Sequence, residues 1–419
     1  MRKARWRHIL LTCPETTGSH CNYPLRLSIT HYSVTSAAGT GLTALRKSLV
    51  TRQSGLRHND FQGCDLDTWI GRVPGVEDIV LPPGTEQLQS RNNQLAWLGL
   101  QQDGLLDAIH TLSDRIGPHR IGVVMGTSTS SIGRTEEAYT QLEDSGLMRP
   151  EFRQPEVHNL HSPGIFVSAA TGLKGPSLTI STAGSSSAKV FATATRWIKH
   201  GLVDAVLVGG VDSLCLSVLY GFNSLELISG EQCRPFDRDR GGINIGEAAG
   251  YALLIREDLA PDAELQLAGY GESSDAHHMS HPHPEGKGAI YSIGRALERA
   301  ATRPDEVEYV NLHGTASKAN DKIETYALAE HFTDSTLVSS TKAWTGHTLG
   351  AAGILESVIA IDTLETGLLP GTLNCHQADP EFRFPVMTDN LEKTISCSMT
   401  NSFGFGGNNA SLVFRRRND

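Results

Sequence analysis

The sequence has no paired or CxxC-spaced cysteines: its seven, at 13, 21, 64, 215, 233, 375 and 397, are an odd and scattered set. That argues against a disulfide scaffold and a structural zinc site. It also lacks an excess of positive charge. Thirty-six Lys and Arg stand against 46 Asp and Glu, a net charge of −10. A whole-surface nucleic-acid binder normally reads basic, so no nucleic-acid partner is expected. Long apolar runs are missing too. After Arg2, Lys3, Arg5 and Arg7 the apolar stretch is only Ile9–Leu11, short of the ~7–15 residues a signal peptide needs. No stretch approaches the ~20 apolar residues of a membrane span. These absences lead us to expect a cytoplasmic protein without a membrane span.

What is present suits a globular chain. Of 419 residues, 39% are apolar and 20% charged, which is not the composition of a disordered segment. Glycine numbers 42, about 10% against a usual ~7%, pointing to tight turns and close backbone approaches. Residues 1–25 read as a loose leader. Beyond them, short β-branched runs at Arg120–Gly126, Ser177–Ser181, Ala205–Gly209, Val307–Leu312, Leu337–Ser339 and Ile395–Thr400 predict buried strands. Helical spacing marks Leu95–Leu112, softened at Gly99 and Gly104, and also Ile290–Ala300 and Leu349–Leu364. Alternating strands and helices indicate an α/β protein.

A faint repetition accompanies this pattern. SLTISTAGSSSAKVFATATRWI and LVSSTKAWTGHTLGAAGILESVIAI each run strand, Ser-Thr, then a helix rich in small residues. Shared α/β composition explains it, or a duplicated half-domain does, divided near residue 256 into 26–256 and 257–416.

Chemistry first shows at Gly175–Lys189, where a buried strand enters Thr182-Ala183-Gly184 and a helix of small residues begins. A residue at such an elbow lies at a helix N-terminus, whose free N–H groups favour a developing anion. Gly184–Ala188 also fits the G-x-S-x-A form of a serine-hydrolase elbow, with Ser186 as nucleophile, His347 as base and Asp321 as acid. A helix start capped by serine explains the same letters. Further on, Asn311–Ser317 places His313 at a strand end before Gly and hydroxyls. Lys342 precedes Thr345-Gly346-His347 at another helix start. Neutral imidazoles can donate hydrogen bonds to an oxyanion. Asn401–Asn409 (NSFGFGGNN) is a glycine-rich loop whose only bulky side chains are Phe403 and Phe405. Such a loop can open or close an apolar pocket.

With these motifs, and with Arg234–Gly250 (RPFDRDRGGINIGEAAG) and Gly271–Met279 (GESSDAHHM), the chain resembles the type I/II β-ketoacyl-acyl-carrier-protein synthases of the thiolase superfamily. The resemblance covers nearly all of residues 27–416. NNQLAWLGL and SSDAHHMSHPHPEG are similar to the subgroup associated with aryl-polyene pigments. It implies a five-layer αβαβα fold of two similar halves, usually dimeric. It also implies decarboxylative condensation of an acyl chain, held on a cysteine, with a malonyl group delivered by acyl carrier protein. Under it His313 and His347 stabilise the enolate and oxyanion, Lys342 orders the site, and Glu356 belongs to the same network. Thr315 and Ser317 fall where hydroxyls contact the pantetheine arm, and Phe405 matches the gating phenylalanine. No resident cofactor or metal is implied; the expected partners are acyl carrier protein and an identical or synthase-like second subunit.

One departure outweighs the rest. The family's cysteine belongs at position 184, where this chain has glycine. Ser185 is no obvious substitute, since one step along a helix turns the side chain by about 100°. Lys318, where relatives often have proline, is a smaller departure. Three readings of Gly184 are open: an engineered knock-out of a condensing enzyme, a natural chain-length-factor-like partner of an active synthase, or a malonyl decarboxylase remnant. The histidine-rich stretch Asp275–His283 suits a loop at the pocket entrance better than a metal site, because its prolines prevent a regular helix. Carrier docking has candidates in Arg234, Arg238 and Arg240, and in Lys189, Arg196 and Lys199, although a solvated face is the default for such groups.

Overall fold

The computed structural model describes residues 26–417, so the expected leader at 1–25 lies outside the described residues. Ten strands form one hydrogen-bonded path. Five lie in the first half: β1 (Leu27–Ser36), β2 (Ile121–Gly126), β3 (Ser177–Ile180), β4 (Ala205–Asp212) and β5 (Ala248–Arg256). Five follow in the second: β6 (Leu265–Ser274), β7 (Tyr309–Asn311), β8 (Leu337–Ser339), β9 (Cys397–Gly404) and β10 (Asn408–Arg416). The first half runs in the order β1-β5-β4-β2-β3 and the second in the order β6-β10-β9-β7-β8. Strand directions also match. The first two neighbours in each half pair antiparallel and the last two parallel. The halves join where β1 and β6 pair antiparallel, from Leu27 opposite Leu267 to Ile29 opposite Leu265.

Burial on both faces explains why the strands read as continuous apolar runs. Along β2, Val123 and Met125 pack with Leu207 and Leu253. Val124 turns the other way, to join Val206, Val208 and Leu254. The first set lies under the outer helices Arg91–Leu100, Leu105–Ile116 and Ser162–Thr171. In the second half, Val310, Met399 and Val413 meet the outer helices Lys287–Ala300 and Lys318–His331. Between the two five-stranded halves of this path lie two central helices, Ser186–Lys199 and Ala352–Thr366. Their Phe191, Ile198, Ile354 and Val358 share one apolar cluster with side chains from both halves. The result is five layers, helix-sheet-helix-sheet-helix. From Ala352 to Leu364 every residue of the second central helix is buried, its two acids being paired, Glu356 with Lys342 and Asp362 with Arg46.

The expected helix over Leu95–Leu112 is two helices. The break falls at residues 101–104, where Asp103 and Gly104 both take left-handed backbone angles, φ 54° and 72°. Among the described residues no helix is long and apolar enough to cross a membrane.

The repetition in the sequence has a structural counterpart. Each central helix follows the third strand of its half, after five residues (181–185) in the first half and after a longer connection (340–351) with the short helix Lys342–Thr345 in the second, so the two connections occupy equivalent places. The two helices touch closely: a Cβ on Gly353 would lie 2.5 Å from the Ala188 nitrogen, while Ile354 N–H donates to Ser187 Oγ at 2.8 Å. Gly353→Val should therefore lower unfolding stability by about 3 kcal/mol. Urea denaturation followed by circular dichroism measures this, and an unchanged midpoint would show that the helices can move apart.

Candidate active site

The elbow after β3 is held by its own serines. Ser186 Oγ accepts from Thr182 N–H (2.9 Å) and donates to the Ala183 carbonyl (2.6 Å). Ser185 Oγ donates to the Thr182 carbonyl at 2.9 Å. These bonds hold Ala183 in the left-handed region, φ 52°, a strained conformation that surrounding structure must enforce. Gly184 itself lies outside that region, so its backbone suits any L-residue. A Cβ there would lie 3.3 Å from His313 Cε1 and 3.5 Å from His347 Cε1. Position 184 therefore points between the two imidazoles.

His313 follows β7. Its backbone N–H and that of Gly314 each donate to the Glu324 carboxylate at 2.8 Å. His347 stands before the second central helix, and its backbone N–H donates to the Asn244 carbonyl at 2.7 Å. The rings are 5.4 Å apart and nearly perpendicular, at 86°. Between the two segments lies the buried Lys342, whose ammonium bonds Glu356 and the His313 carbonyl. The same ammonium approaches His313 Nδ1 at 3.5 Å.

These contacts settle the imidazole protons. Lys342 carries only donors, so His313 Nδ1 accepts. Leu349 N–H donates to His347 Nδ1 at 3.3 Å. Both rings then keep their proton on Nε2, the free nitrogen. Burial, reinforced by the Lys342 charge, holds His313 well below the usual imidazole range. The same two causes push His347 down to about 3. The pair offers two neutral N–H donors to an oxygen near residue 184, the arrangement that stabilises a developing oxyanion.

A cavity of about 520 Å³ opens over this pair. Phe222, Leu225, Leu227, Ile243 and Leu349 give it apolar walls, and Thr315, Ser317 and Lys318 line it as well. Thr315 Oγ1 bonds Ser317 Oγ at 2.9 Å, and Ser317 caps the helix that Lys318 begins. Phe403 lies 6.0 Å from the His313 ring, and Phe405, part-exposed, stacks on Phe222 at 5.7 Å. The loop carrying both phenylalanines sits against the elbow, since a Cβ on Gly404 would come within 2.7 Å of the Thr182 carbonyl. Ser280, His281 and Pro282 of the histidine-rich loop also line the cavity. His278 and His281 face each other, Nδ1 to Nδ1, at 3.1 Å. Among the described residues no group of three or more metal-ligating side chains gathers.

Two expectations need correction. Arg240 is not a docking residue: it is buried, paired with Asp379 at 2.8 Å and Asp321 at 3.6 Å, and stacked on Phe382. Tertiary packing, not solvent, surrounds it. Arg234 and Arg238 remain accessible but are paired with Glu231 and Asp239. Of the other basic group, Lys189 donates to Asn408 and Arg196 pairs with Glu272, while Lys199 is exposed. The serine-hydrolase arrangement is also not assembled. Ser186 is buried and spends its proton on the elbow. Asp321 serves the Phe236 and Ala316 amides and Arg240, so it does not reach His347.

Glu324 escaped sequence reading. Its carboxyl is pushed up to about 7 by burial, against the pull of the Gly314 and His313 amides. The only signal was its place with Asp321 at i, i+3 on one helix face, which reads equally as a solvated acidic face.

A duplicated α/β scaffold with two neutral histidine donors at the floor of an apolar cavity defines a site built for thioester or similar carbonyl chemistry. Family models agree. "Beta-ketoacyl synthase, N-terminal domain" matches residues 89–260, and "Beta-ketoacyl synthase, C-terminal domain" matches 265–376. The chain belongs to the β-ketoacyl synthase family. It is 34% identical to 3-oxoacyl-[acyl-carrier-protein] synthase 2 of Coxiella burnetii, covering 93% of this chain and 98% of the relative. It is 37% identical to the mitochondrial 3-oxoacyl-[acyl-carrier-protein] synthase of Arabidopsis thaliana, over 74% and 72%. In structure it matches a chain from the complex of the ketosynthase ApeO with its chain length factor ApeC from Xenorhabdus doucetiae. That match has a TM-score of 0.83 and 35% identity, covering 95% of this chain and 100% of the other.

The depressed imidazole values have a measurable sign. The native rings refuse a proton that the unfolded chain takes up below about 6.5. Their contribution to stability is full above that pH and is lost as pH falls toward the folded value. In ¹⁵N-histidine NMR spectra, His313 and His347 should stay neutral from about pH 8 to about pH 5. A midpoint near 6.5 for either ring would contradict the site described.

Proposed function

We propose that this chain is a β-ketoacyl-acyl-carrier-protein synthase scaffold that admits carrier-bound thioesters but forms no acyl-enzyme, because residue 184 offers no thiol. The observation that carries this reading is the geometry at Gly184: its backbone suits any residue, and its missing side chain would face both histidines. In the full reaction a thiolate at 184 attacks the acyl thioester carbonyl and the carrier's thiol leaves. Malonyl thioester then loses CO₂; the C–C electron pair becomes an enolate, whose carbon attacks the enzyme-bound thioester and expels the thiolate. His313 and His347 donate their Nε2 protons in hydrogen bonds to the charged oxygens, while Lys342 and Glu356 hold the rings in place. Thr315 and Ser317 contact the pantetheine arm, and Phe405 gates the entrance. The substrates bring their own phosphopantetheine, and the site calls for no resident cofactor.

Among the described residues no other thiol replaces the missing one. Burial pushes the Cys233 and Cys375 thiols up to about 12 and Cys397 up to about 11. None of the described cysteines lines the cavity. Chemistry that needs the donors but not the thiol survives. Decarboxylation of malonyl thioester yields an enolate, and a proton from water at carbon then gives the acetyl thioester.

A second reading is supported by the match to the ketosynthase and chain length factor complex. There the chain pairs with an active synthase-like subunit and condenses nothing itself.

The test is Gly184→Cys, incubated with acyl carrier protein bearing an acyl group and analysed by intact mass. One added acyl group on the variant and none on the parent is expected, followed by chain elongation with malonyl-carrier protein. Acylation of the parent chain, or no acylation of the variant, would overturn the first reading. Elongation by the variant only when mixed with a separate synthase subunit favours the second. His313→Ala should lower CO₂ release from malonyl-carrier protein by about 100-fold, read with ¹⁴C-malonyl substrate.

A further inference from the structure

The Asp212 carboxylate at the end of β4 is fully buried, and among the described residues no cation lies within ion-pairing distance of it. A charge in that position is costly unless donors surround it. It collects them from both halves of the molecule. Oδ1 accepts from Thr127 Oγ1 (2.6 Å) and Thr129 N–H (3.1 Å). Oδ2 accepts from Ser128 N–H (2.7 Å) and Gly350 N–H (2.6 Å). One carboxylate thus ties the turn after β2 to the turn before the second central helix.

The second turn is the one that carries His347. Between His347 and Gly350 lies Leu349, a non-glycine residue in the left-handed region with φ 55°. Such a conformation persists only where neighbouring structure over-determines it. The Gly350–Asp212 bond, one residue downstream, does so. Leu349 is also the residue whose N–H occupies His347 Nδ1. If Leu349 relaxed, that N–H would swing away and the ring could place its proton on either nitrogen.

We propose that Asp212 is a positioning residue for His347, holding through Gly350 and Leu349 the backbone N–H that keeps the imidazole proton on Nε2. The proposal rests on reading His347 as an oxyanion donor, since only the Nε2–H form serves that role. His313 supplies an internal control. Its Nδ1 is met by Lys342, outside the stretch from His347 to Gly350 that Asp212 holds.

The experiment compares the full parent chain with Asp212→Asn and Gly350→Ala, all labelled with ¹⁵N-histidine, in long-range ¹H–¹⁵N spectra. His347→Gln and His313→Gln assign the signals. Gly350→Ala breaks the same contact from the other side, because its Cβ would come within 2.6 Å of Asp212 Oδ2. Loss of one hydrogen bond should raise the minor Nδ1–H population of His347 about fivefold in both variants, with His313 unchanged. An unmoved His347, or both histidines moving together, overturns the proposal. Should neither variant fold, the parent chain decides: fast hydrogen exchange at the Gly350 amide overturns it, and exchange as slow as in the central helix supports it. These readouts need no catalysis, so they stand apart from acylation of Gly184→Cys. In that cysteine-bearing background Asp212→Asn should lower kcat about tenfold with KM little changed.

Discussion

A buried ammonium organises this molecule. Lys342 lies where water does not reach, and a cation there is tolerable only with a counter-charge and filled donors. Glu356 on the second central helix supplies the charge, and the His313 carbonyl accepts another hydrogen bond from the ammonium. Those contacts lash the helix to the end of β7. Burial, reinforced by the same charge, keeps both imidazoles from protonating, and the ammonium's approach to His313 Nδ1 leaves the ring's proton on the side that faces residue 184. Moving Lys342 would alter the electrostatics of the site and the seating of the helix together.

The duplicated fold makes that placement possible. Each half delivers a strand into a connecting turn, tight in the first half and longer in the second, and then into a central helix, and the two connections meet across the midline. One turn carries Gly184, the other His347. Because the central helices cross at Ala188 and Gly353 with no room between them, the distance between the turns is set by backbone contact. Asp212 adds a second tie between the halves at the same level. The cavity therefore has a floor fixed by backbone contact, and on its wall Phe405 rests on Phe222.

Much of this was legible beforehand. Strands such as Ile121–Gly126 declare themselves because both faces are buried and nearly every residue is apolar. His313, Lys342 and His347 stood out because chemistry-bearing side chains beside glycine at strand ends are unusual. Arg240 misled because a local cluster of arginines looks alike whether solvent or two carboxylates surround it. Glu324 and Asp212 were missed for the matching reason: an acid in the sequence shows nothing of the backbone amides that will converge on it. The helix break at Asp103–Gly104 was only half visible, as glycine marks a weak point without saying where the chain turns.

By itself the sequence determined the local grammar of strand, turn and helix, and the absence of a thiol at position 184. Both follow from side-chain identity and short-range sterics, which need no distant partner. Tertiary structure alone decided which charges are buried, which nitrogen of each histidine holds the proton, and where residue 184 points. Those properties depend on dielectric and hydrogen-bond geometry between segments that only the folded chain brings together, residue 184 with His313 and His347 above all.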